Sequence, residues 1–398
     1  MVIETVKGFR DILSPESLKR QKIKEVIERN FKLFGFVPIE TPTIEYEELA
    51  KGDNEKDSAV SDRFKLKDRG NRDLSLRYEF TFQLKRIFKE NPDIKLPFRR
   101  YQIGYVFRDE PVEKDRYREF IQCDADIIGD ASVKADAECL ALADKVCKEL
   151  GIKYSMKINN RKLINSILER LEISDYQNVL REIDKIDKIG EDAVKKELTK
   201  YAGKDEILNL FRLLRRDLDY FVKQKYAGAE EVLELLNLCK EYKIKAEFSP
   251  FLLRGFSYYT GSVFEAYSEK IKGSIFAGGR FDNLVGKYIG RTIPAVGISL
   301  GRILDYPDIN VESVKCVLIS IGQDKKTIAL MNSLRENNVP CFMMEKISKA
   351  LDFANTQNIP YVIFIGEDEV KKGKFKLRDM KTGKESFLVE SSIIKELL

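Results

Sequence analysis

The 398-residue sequence predicts an α+β protein: an antiparallel β-sheet core flanked by helices, a helical insertion that interrupts it, and a C-terminal α/β domain. Three observations carry this. Between Asp73 and Ile128 several segments alternate apolar and polar residues with period two, and two of them are spaced as a long hairpin. From about Asn160 to Tyr242 the sequence is rich in lysine and glutamate, with apolar residues at helical spacing. Beyond a polar stretch from Asp305 to Val314, strand and helix patterns alternate in the order of a βαβ chain. The length exceeds what one hydrophobic core usually organises. The expected boundaries are 1–159 and 246–308 for two halves of one core, 160–245 for the insertion and 309–398 for the last domain.

Taken in order, Ser14-Pro15 opens a helix with proline in its first turn; Leu18, Ile23, Val26, Ile27, Phe31 and Phe34 form its apolar stripe, and Gly35 ends it. A short strand follows from Phe36 to Thr41, closed by Pro42. Asp73 to Thr81 reads as one strand, with Leu74, Leu76, Tyr78 and Phe80 on one face and Asp73, Ser75, Arg77, Glu79 and Thr81 on the other. Arg99 to Arg108 and Tyr117 to Ile128 form the hairpin, joined by a polar loop containing Glu110, Pro111, Glu113, Lys114 and Asp115. In the insertion, Leu168, Leu171, Ile183, Ile186, Leu210, Leu213 and Leu214 are apolar positions of helices. Strand character returns from Phe251 to Leu300, punctuated by glycines that include Gly278, Gly279 and Gly297. The last domain runs strand Cys316–Ile321, helix Lys325–Glu336, strand Pro340–Met344, helix Lys349–Thr356 and strand Tyr361–Ile365, which predicts a mostly parallel sheet.

The chain has no histidine and no tryptophan. Without imidazole there is no Ser-His-Asp or Cys-His nucleophile and no histidine-ligated zinc or haem. Catalysis is left to carboxylates, arginine, lysine, tyrosine, metal ions or the substrate's own groups. A net charge of +5, from 70 basic and 65 acidic residues, permits an anionic partner without demanding one. The six cysteines contain no CxxC pair, and Cys139 and Cys147 share a helical face with Leu142, Val146 and Leu150, so they read as reduced core residues. The residues from Met1 to Arg10 do not form a basic-then-apolar leader and no apolar run approaches a membrane span, so a cytoplasmic protein with no membrane attachment is expected.

On the second hairpin strand the even positions are Arg118, Phe120, Gln122, Asp124 and Asp126, and the odd positions Ile121, Cys123, Ala125 and Ile127 are apolar. Period two puts Gln122 and Asp126 on one face, with Arg118 along from them, Arg116 in the adjoining turn and Arg108 at the end of the neighbouring strand. The run Phe107-Arg108-Asp109-Glu110, followed by Arg116-Tyr117-Arg118-Glu119-Phe120-Ile121-Gln122-Cys123-Asp124-Ala125-Asp126, resembles motif 2 of histidyl-tRNA synthetases, which are class II aminoacyl-tRNA synthetases. Lys7-Gly8-Phe9-Arg10-Asp11 looks like that family's opening signature, and the helix up to Pro42 is similar to motif 1. Leu76 to Thr81 matches its carboxylate-bearing strand, and the runs Arg254 to Gly261 and Ala277 to Asp282 resemble its two histidine-specific motifs. Ile365-Gly366-Glu367 and Arg378 to Gly383 look like its anticodon-binding domain.

The resemblance implies activation of histidine by ATP and transfer to tRNA(His). It assigns Arg108 and Arg254 as catalytic arginines on either side of the α-phosphate, and Arg108, Arg116 and Arg118 as ATP-binding. L-Histidine would be bound by Glu79, Thr81, Arg108, Gln122, Asp126, Arg254, Tyr258 and Tyr259, with Asp126 and Tyr259 on the imidazole. Mg2+ is expected on the outer phosphates of ATP, no protein metal site is assigned, and motif 1 implies a homodimer. The basic run Lys371 to Arg378 reads as a soluble edge strand or as a phosphate-contacting surface. Three positions depart from the family: Ser257 for an aspartate, Phe281 for a tyrosine, and Leu304 for the arginine of motif 3, with Arg302 two residues earlier and so on another side of a helix. Lys346-Ile347-Ser348-Lys349 resembles a class I synthetase signature, but that class needs a histidine-bearing motif which this chain lacks. A second reading is a non-catalytic paralogue similar to the regulatory subunit of ATP phosphoribosyltransferase; such relatives typically lack the anticodon domain and the ATP-binding arginines.

Overall fold

The computed structural model describes residues 3–50, 62–112, 116–253, 258–309 and 314–398. They fall into two compact units: one of residues up to 13 together with 20–309, the other of 14–19 together with the C-terminal residues from 310. The first unit is built on an eight-stranded sheet in the order β1-β5-β6-β11-β10-β9-β7-β8. Its strands are β1 (Val37–Pro38), β5 (Phe98–Phe107), β6 (Glu119–Ile128), β7 (Ser155–Asn160), β8 (Glu247–Phe248), β9 (Ser262–Ser268), β10 (Ile271–Arg280) and β11 (Ala295–Ser299). All pairs are antiparallel except the outermost two, β1 with β5 and β7 with β8. The centre is the β5–β6 hairpin, paired without a break from Phe98↔Ile128 to Phe107↔Glu119.

Alternation along β6 decides what each face does. Ile121, Cys123, Ala125 and Ile127 enter the main core with Ile23, Ile27 and Phe31 of the helix Glu16–Leu33 and with Cys139, Leu142 and Val146 of the helix Val133–Glu149. Burying an aliphatic side chain of this size is worth roughly 1.5–3 kcal/mol, so register on this face is strongly specified and the polar set Gln122, Asp124 and Asp126 is committed to the other face. Helices from Arg161 to Glu241 form the insertion; Leu168, Ile183, Leu210 and Leu214 are buried in the same core as the sheet. All six cysteines are buried and free.

The stretch Asp73–Thr81 departs from its expected form. Strand β4 (Asp73–Leu76) ends early, in a small sheet with β2 (Ile44–Tyr46) and β3 (Lys65–Lys67). Residues from Arg77 to Thr81 then cross the large sheet, so Arg77, Tyr78, Glu79, Phe80 and Thr81 are all buried and the alternation is lost. The Arg77 guanidinium fixes the crossing, Nε donating to the Tyr105 carbonyl at 2.7 Å and Nη1 to that of Thr41 at 2.9 Å.

The second unit has a five-stranded sheet in the order β13-β12-β14-β15-β16, from β12 (Cys316–Ser320), β13 (Cys341–Met344), β14 (Tyr361–Ile365), β15 (Phe375–Asp379) and β16 (Glu385–Leu388). The expected mostly parallel sheet is half of this: β12 is parallel to β13 and β14, whereas β14–β15 and β15–β16 are antiparallel. The helix Glu367–Lys372 between β14 and β15 has one and a half turns and ends at Gly373 with φ +60°, too short for a crossover that would return the chain in parallel. The basic run is therefore not an edge. Phe375 and Leu377 are buried in β15, the Lys376 ammonium lies 4.3 Å from the Phe364 ring centre, and Arg378 approaches Glu385 at 3.7 Å.

Candidate active site

Over the polar face of β6 lies a cavity of about 1150 Å³. It is lined by Glu79, Thr81, Arg108, Arg116, Gln122, Asp126, Tyr258 and Tyr259 from the sequence-derived set. Arg118 is not among the lining residues: its Nε donates to the Glu110 carbonyl at 2.9 Å and its guanidinium approaches Asp109 at 3.3 Å, within the hairpin end. Arg254 and Ser257 lie outside the described residues.

The floor is acidic and its carboxylates are buried. Glu79 is 3% exposed; it accepts a hydrogen bond from the Tyr258 hydroxyl on Oε2 at 3.2 Å, and its Oε1 has no hydrogen-bond partner among the described residues. Burial pushes its carboxyl up to about 7, with Arg108 pulling down and Asp124 pushing up. Asp126 is likewise pushed up to about 7 by burial, against an ion pair with Arg100. Asp124 is raised by burial and donated to by Gln122 Nε2 at 2.9 Å. Three carboxylates held this close cannot all ionise cheaply unless a cation or strong donors complete them.

Arg108 leads from floor to wall. Its Nη2 donates to Gln122 Oε1 at 3.2 Å, and its guanidinium is sandwiched between Tyr78 and Phe120, 4.5 and 5.0 Å from the ring centres. Two rings hold the fork in one plane, the orientation required to grip an oxyanion. Farther out, Arg116 pairs with Glu110, and Arg10 lies over the Tyr117 ring at 3.9 Å. The opening signature is fastened to the hairpin: the Gly8 carbonyl accepts from the Arg118 N–H at 2.9 Å, and Phe9 stacks on Phe107 at 6.5 Å.

The third wall is backbone. Gly297 on β11 stands opposite Asp126 in the ladder, and a Cβ there would come 1.7 Å from Asp126 Oδ1. Tyr258 and Tyr259 close the site with ring centres 4.8 Å apart, and Phe281 packs edge-on to Tyr258 at 6.0 Å. Phe281 is buried in an apolar cluster and borders the cavity, so it presents a ring where the usual tyrosine would also carry a hydroxyl.

Some lining residues escaped the sequence reading. In the turn Gly301–Asp305, Gly301, Arg302 and Asp305 line the cavity, while Leu304 is 1% exposed in the core. Arg302 and Leu304 do lie on different sides of the turn, as expected; it is position 304 that faces the core and position 302 that faces the cavity. Arg10, Arg20 and Arg302 gather on Asp305 at the same wall. Buried Arg100 went unread although a signal existed, since it shares the parity of Gln102 and Gly104.

Comparison with known proteins agrees with this geometry. The histidyl-tRNA synthetase family model matches residues 8–302, and an anticodon binding domain model matches residues 315–398. A histidine–tRNA ligase of Bacillus cereus is 36% identical over an alignment covering all of both chains. Among solved structures, a histidyl-tRNA synthetase from Nostoc sp. PCC 7120 superposes with a TM-score of 0.88 at 24% identity, over 100% of this chain and 99% of that one. A protein of Bacillus halodurans described as an ATP phosphoribosyltransferase regulatory subunit/histidyl-tRNA synthetase gives 0.74 at 22% identity, over 89% of this chain and 96% of that one. Among the described residues no helix is long and apolar enough to cross a membrane.

Proposed function

The chain belongs to the histidyl-tRNA synthetase family, and from that premise we propose that it is a histidine–tRNA ligase. It joins histidine to ATP as histidyl-adenylate, releasing pyrophosphate, and then transfers histidine to the 3′ end of tRNA(His). The observation that carries the reading is the division of one cavity into an acidic floor and an arginine wall. The floor suits a substrate with an ammonium group and ring N–H; the wall suits a triphosphate.

In the first step a carboxylate oxygen of histidine forms a bond to the α-phosphorus while the bond from that phosphorus to the bridging oxygen breaks and pyrophosphate leaves. The attacking carboxylate is already ionised near neutrality, so no general base is needed. The protein contributes alignment and neutralisation of charge, which suits a chain without histidine. Glu79, Thr81 and Gln122 receive the α-ammonium group; the orphaned Glu79 Oε1 supports this assignment. Arg108 bridges the substrate carboxylate and the α-phosphate, with Arg254 opposite by the resemblance. Arg116 contacts ATP from the cavity wall; Arg118, assigned to ATP by the resemblance, would have to leave Asp109 and the Glu110 carbonyl to join it. Asp126 and Tyr259 grip the imidazole, and a site built on buried polar groups rejects substrates without matching groups by ~10⁴–10⁵-fold.

Mg2+ would travel on the phosphates and supply charge neutralisation there. Glu119, which lines the cavity beside Glu110, fits a cation held by one or two carboxylates plus substrate oxygens. The boundaries 1–159, 160–245, 246–308 and 309–398 are kept as catalytic core, insertion, core and anticodon-binding domain. A homodimer through motif 1 and a cytoplasmic location complete the proposal, and sedimentation at micromolar concentration tests the former.

The deciding experiment is histidine-dependent exchange of pyrophosphate into ATP, followed by charging of tRNA(His). Both are expected. Histidine binding without exchange would favour the regulatory-subunit reading, against which the arginine wall and the terminal domain already speak.

A further inference from the structure

Beneath the cavity floor lies a charge to which the preceding assignments give no role. Arg100 is 0% exposed, an unusual state for a guanidinium. Its Nη2 pairs with Asp126 and donates to the Phe80 carbonyl at 3.2 Å, while Nε and Nη1 have no hydrogen-bond partner among the described residues. A buried arginine with two nitrogens unpaired contributes poorly to stability. The partnership is set by the fold, because Arg100 and Asp126 are directly opposite in the β5–β6 ladder. On the other side of Asp126, Oδ1 lies over Gly297, where only a glycine leaves it room. One carboxylate oxygen, Oδ2, is therefore ion-paired from below without a hydrogen bond among the described residues, and the other borders a surface kept bare of side chains.

We propose that Arg100 is a positioning residue for recognition of the substrate ring, holding Asp126 through Oδ2 so that an ionised Oδ1 accepts one imidazole N–H. This rests on the histidine–tRNA ligase reading and deepens it. Among the described residues the charged groups that face Asp126 are Arg100 on β5 and Asp124 on its own strand; β11 brings only glycine opposite it. Cys139, on the helix behind the sheet, is held neutral because burial, Asp136 and Asp126 push its thiol well above the usual range. Arg100 is thus the one cation that favours the ionised form of Asp126 among these groups. Without it Asp126 keeps a proton to higher pH and presents a hydroxyl donor where an acceptor is required.

The test is histidine-dependent pyrophosphate exchange from about pH 6 to about pH 9, with wild type, Arg100→Met and Arg100→Lys. At neutral pH Arg100→Met is expected to raise the KM for histidine at least ~10-fold while lowering kcat less than ~3-fold. The ratio of variant to wild-type kcat/KM should climb as pH rises, since alkali ionises Asp126 without help; titrations of histidine itself are common to both enzymes and cancel. Arg100→Lys, which restores the charge without the fork, should recover part of the loss. A wild-type KM and a flat ratio in Arg100→Met would overturn the proposal. Should Arg100→Met not fold, the background Asp126→Asn decides: with the carboxylate gone, adding Arg100→Lys should change the KM for histidine less than ~2-fold. An undiminished effect there would also overturn it. Absence of exchange in wild type would instead sink the ligase reading, so the two failures are distinct.

Discussion

Two buried arginine–carboxylate pairs stand on the same sheet and are satisfied to different degrees. Arg280, at the end of β10, pairs with Asp136 and donates through Nη1 to the Asp130 carbonyl at 2.9 Å and through Nη2 to that of Ser132 at 3.0 Å, with Asp282 at 3.3 Å. Asp136 in turn accepts from the Ser262 hydroxyl. Arg100, equally buried, has Asp126 and one carbonyl, and leaves two nitrogens without partners among the described residues. The first network ties β9 and β10 to the helix Val133–Glu149 and has nothing left to offer a ligand. The second borders the cavity and keeps capacity in reserve. Between these two pairs, the degree of satisfaction differs more than burial or charge does.

Breaking each pair should therefore have opposite signatures. Asp136→Asn leaves Arg280 buried without its counter-charge, and an unfolding titration should register a loss of about 3–5 kcal/mol. Arg100→Met should lose much less stability, because Asp126 can take up a proton once its partner is gone. Equal losses in the two variants would erase the distinction. Glu79→Gln comes next in size. It removes a carboxylate that is costly to bury and that the substrate ammonium completes, so kcat/KM for histidine in the exchange assay should fall ~10²–10³-fold with little loss of stability. A loss of stability without a loss of exchange would reassign Glu79 to the scaffold.

The third effect is pH dependence of the empty enzyme. Glu79 and Asp126 are raised from 4.5 and 3.8 to about 7. The folded state thus binds more protons than the unfolded state between those values. Their contribution to stability is full below about pH 4 and is lost as pH rises through 7. With no histidine in the chain, no protein imidazole titrates in that window. Denaturant midpoints at pH 5 and pH 8 should differ in wild type and converge in Glu79→Gln/Asp126→Asn; an unchanged difference would mean that other groups are responsible.

Much of this site was legible in the sequence because it lies on regular strands. Period two along β6 places Gln122, Asp124 and Asp126 together whatever the tertiary context, and the apolar odd positions say which face is core. Legibility failed where the chain leaves regular structure. Glu79 and Thr81 reach the cavity from a crossing segment whose burial no longer alternates, and that segment is held by Arg77 and two carbonyls far away in sequence. Arg100 had the right parity, but what it does depends on the partner opposite, which only register supplies. The terminal sheet failed for a third reason: the length of the connection after β14, not the strand pattern, sets its direction.

The smallest expected effect concerns the outer wall, where the comparison can be sharpened with an exposed arginine. Arg302 lines the cavity, donates through Nη2 to the Lys272 carbonyl at 3.1 Å and has Asp305 at 3.9 Å, a partner already engaged by Arg20. Leu304, in the position of the missing motif 3 arginine, is buried in the core, so a guanidinium there could not reach ATP without disrupting the turn. Arg302 is the arginine this turn offers to the cavity. Because its side chain is 36% exposed, solvent screens its attraction for phosphate, and the gain is nearer ~1 kcal/mol than the several attainable in a dry site. Arg302→Ala should raise the KM for ATP about fivefold and leave the KM for histidine unchanged. Restoring arginine at Leu304 in that variant should not rescue it. Unchanged ATP affinity in Arg302→Ala would remove Arg302 as the substitute and leave Arg10 and Arg20, on the same wall, to be tested in its place.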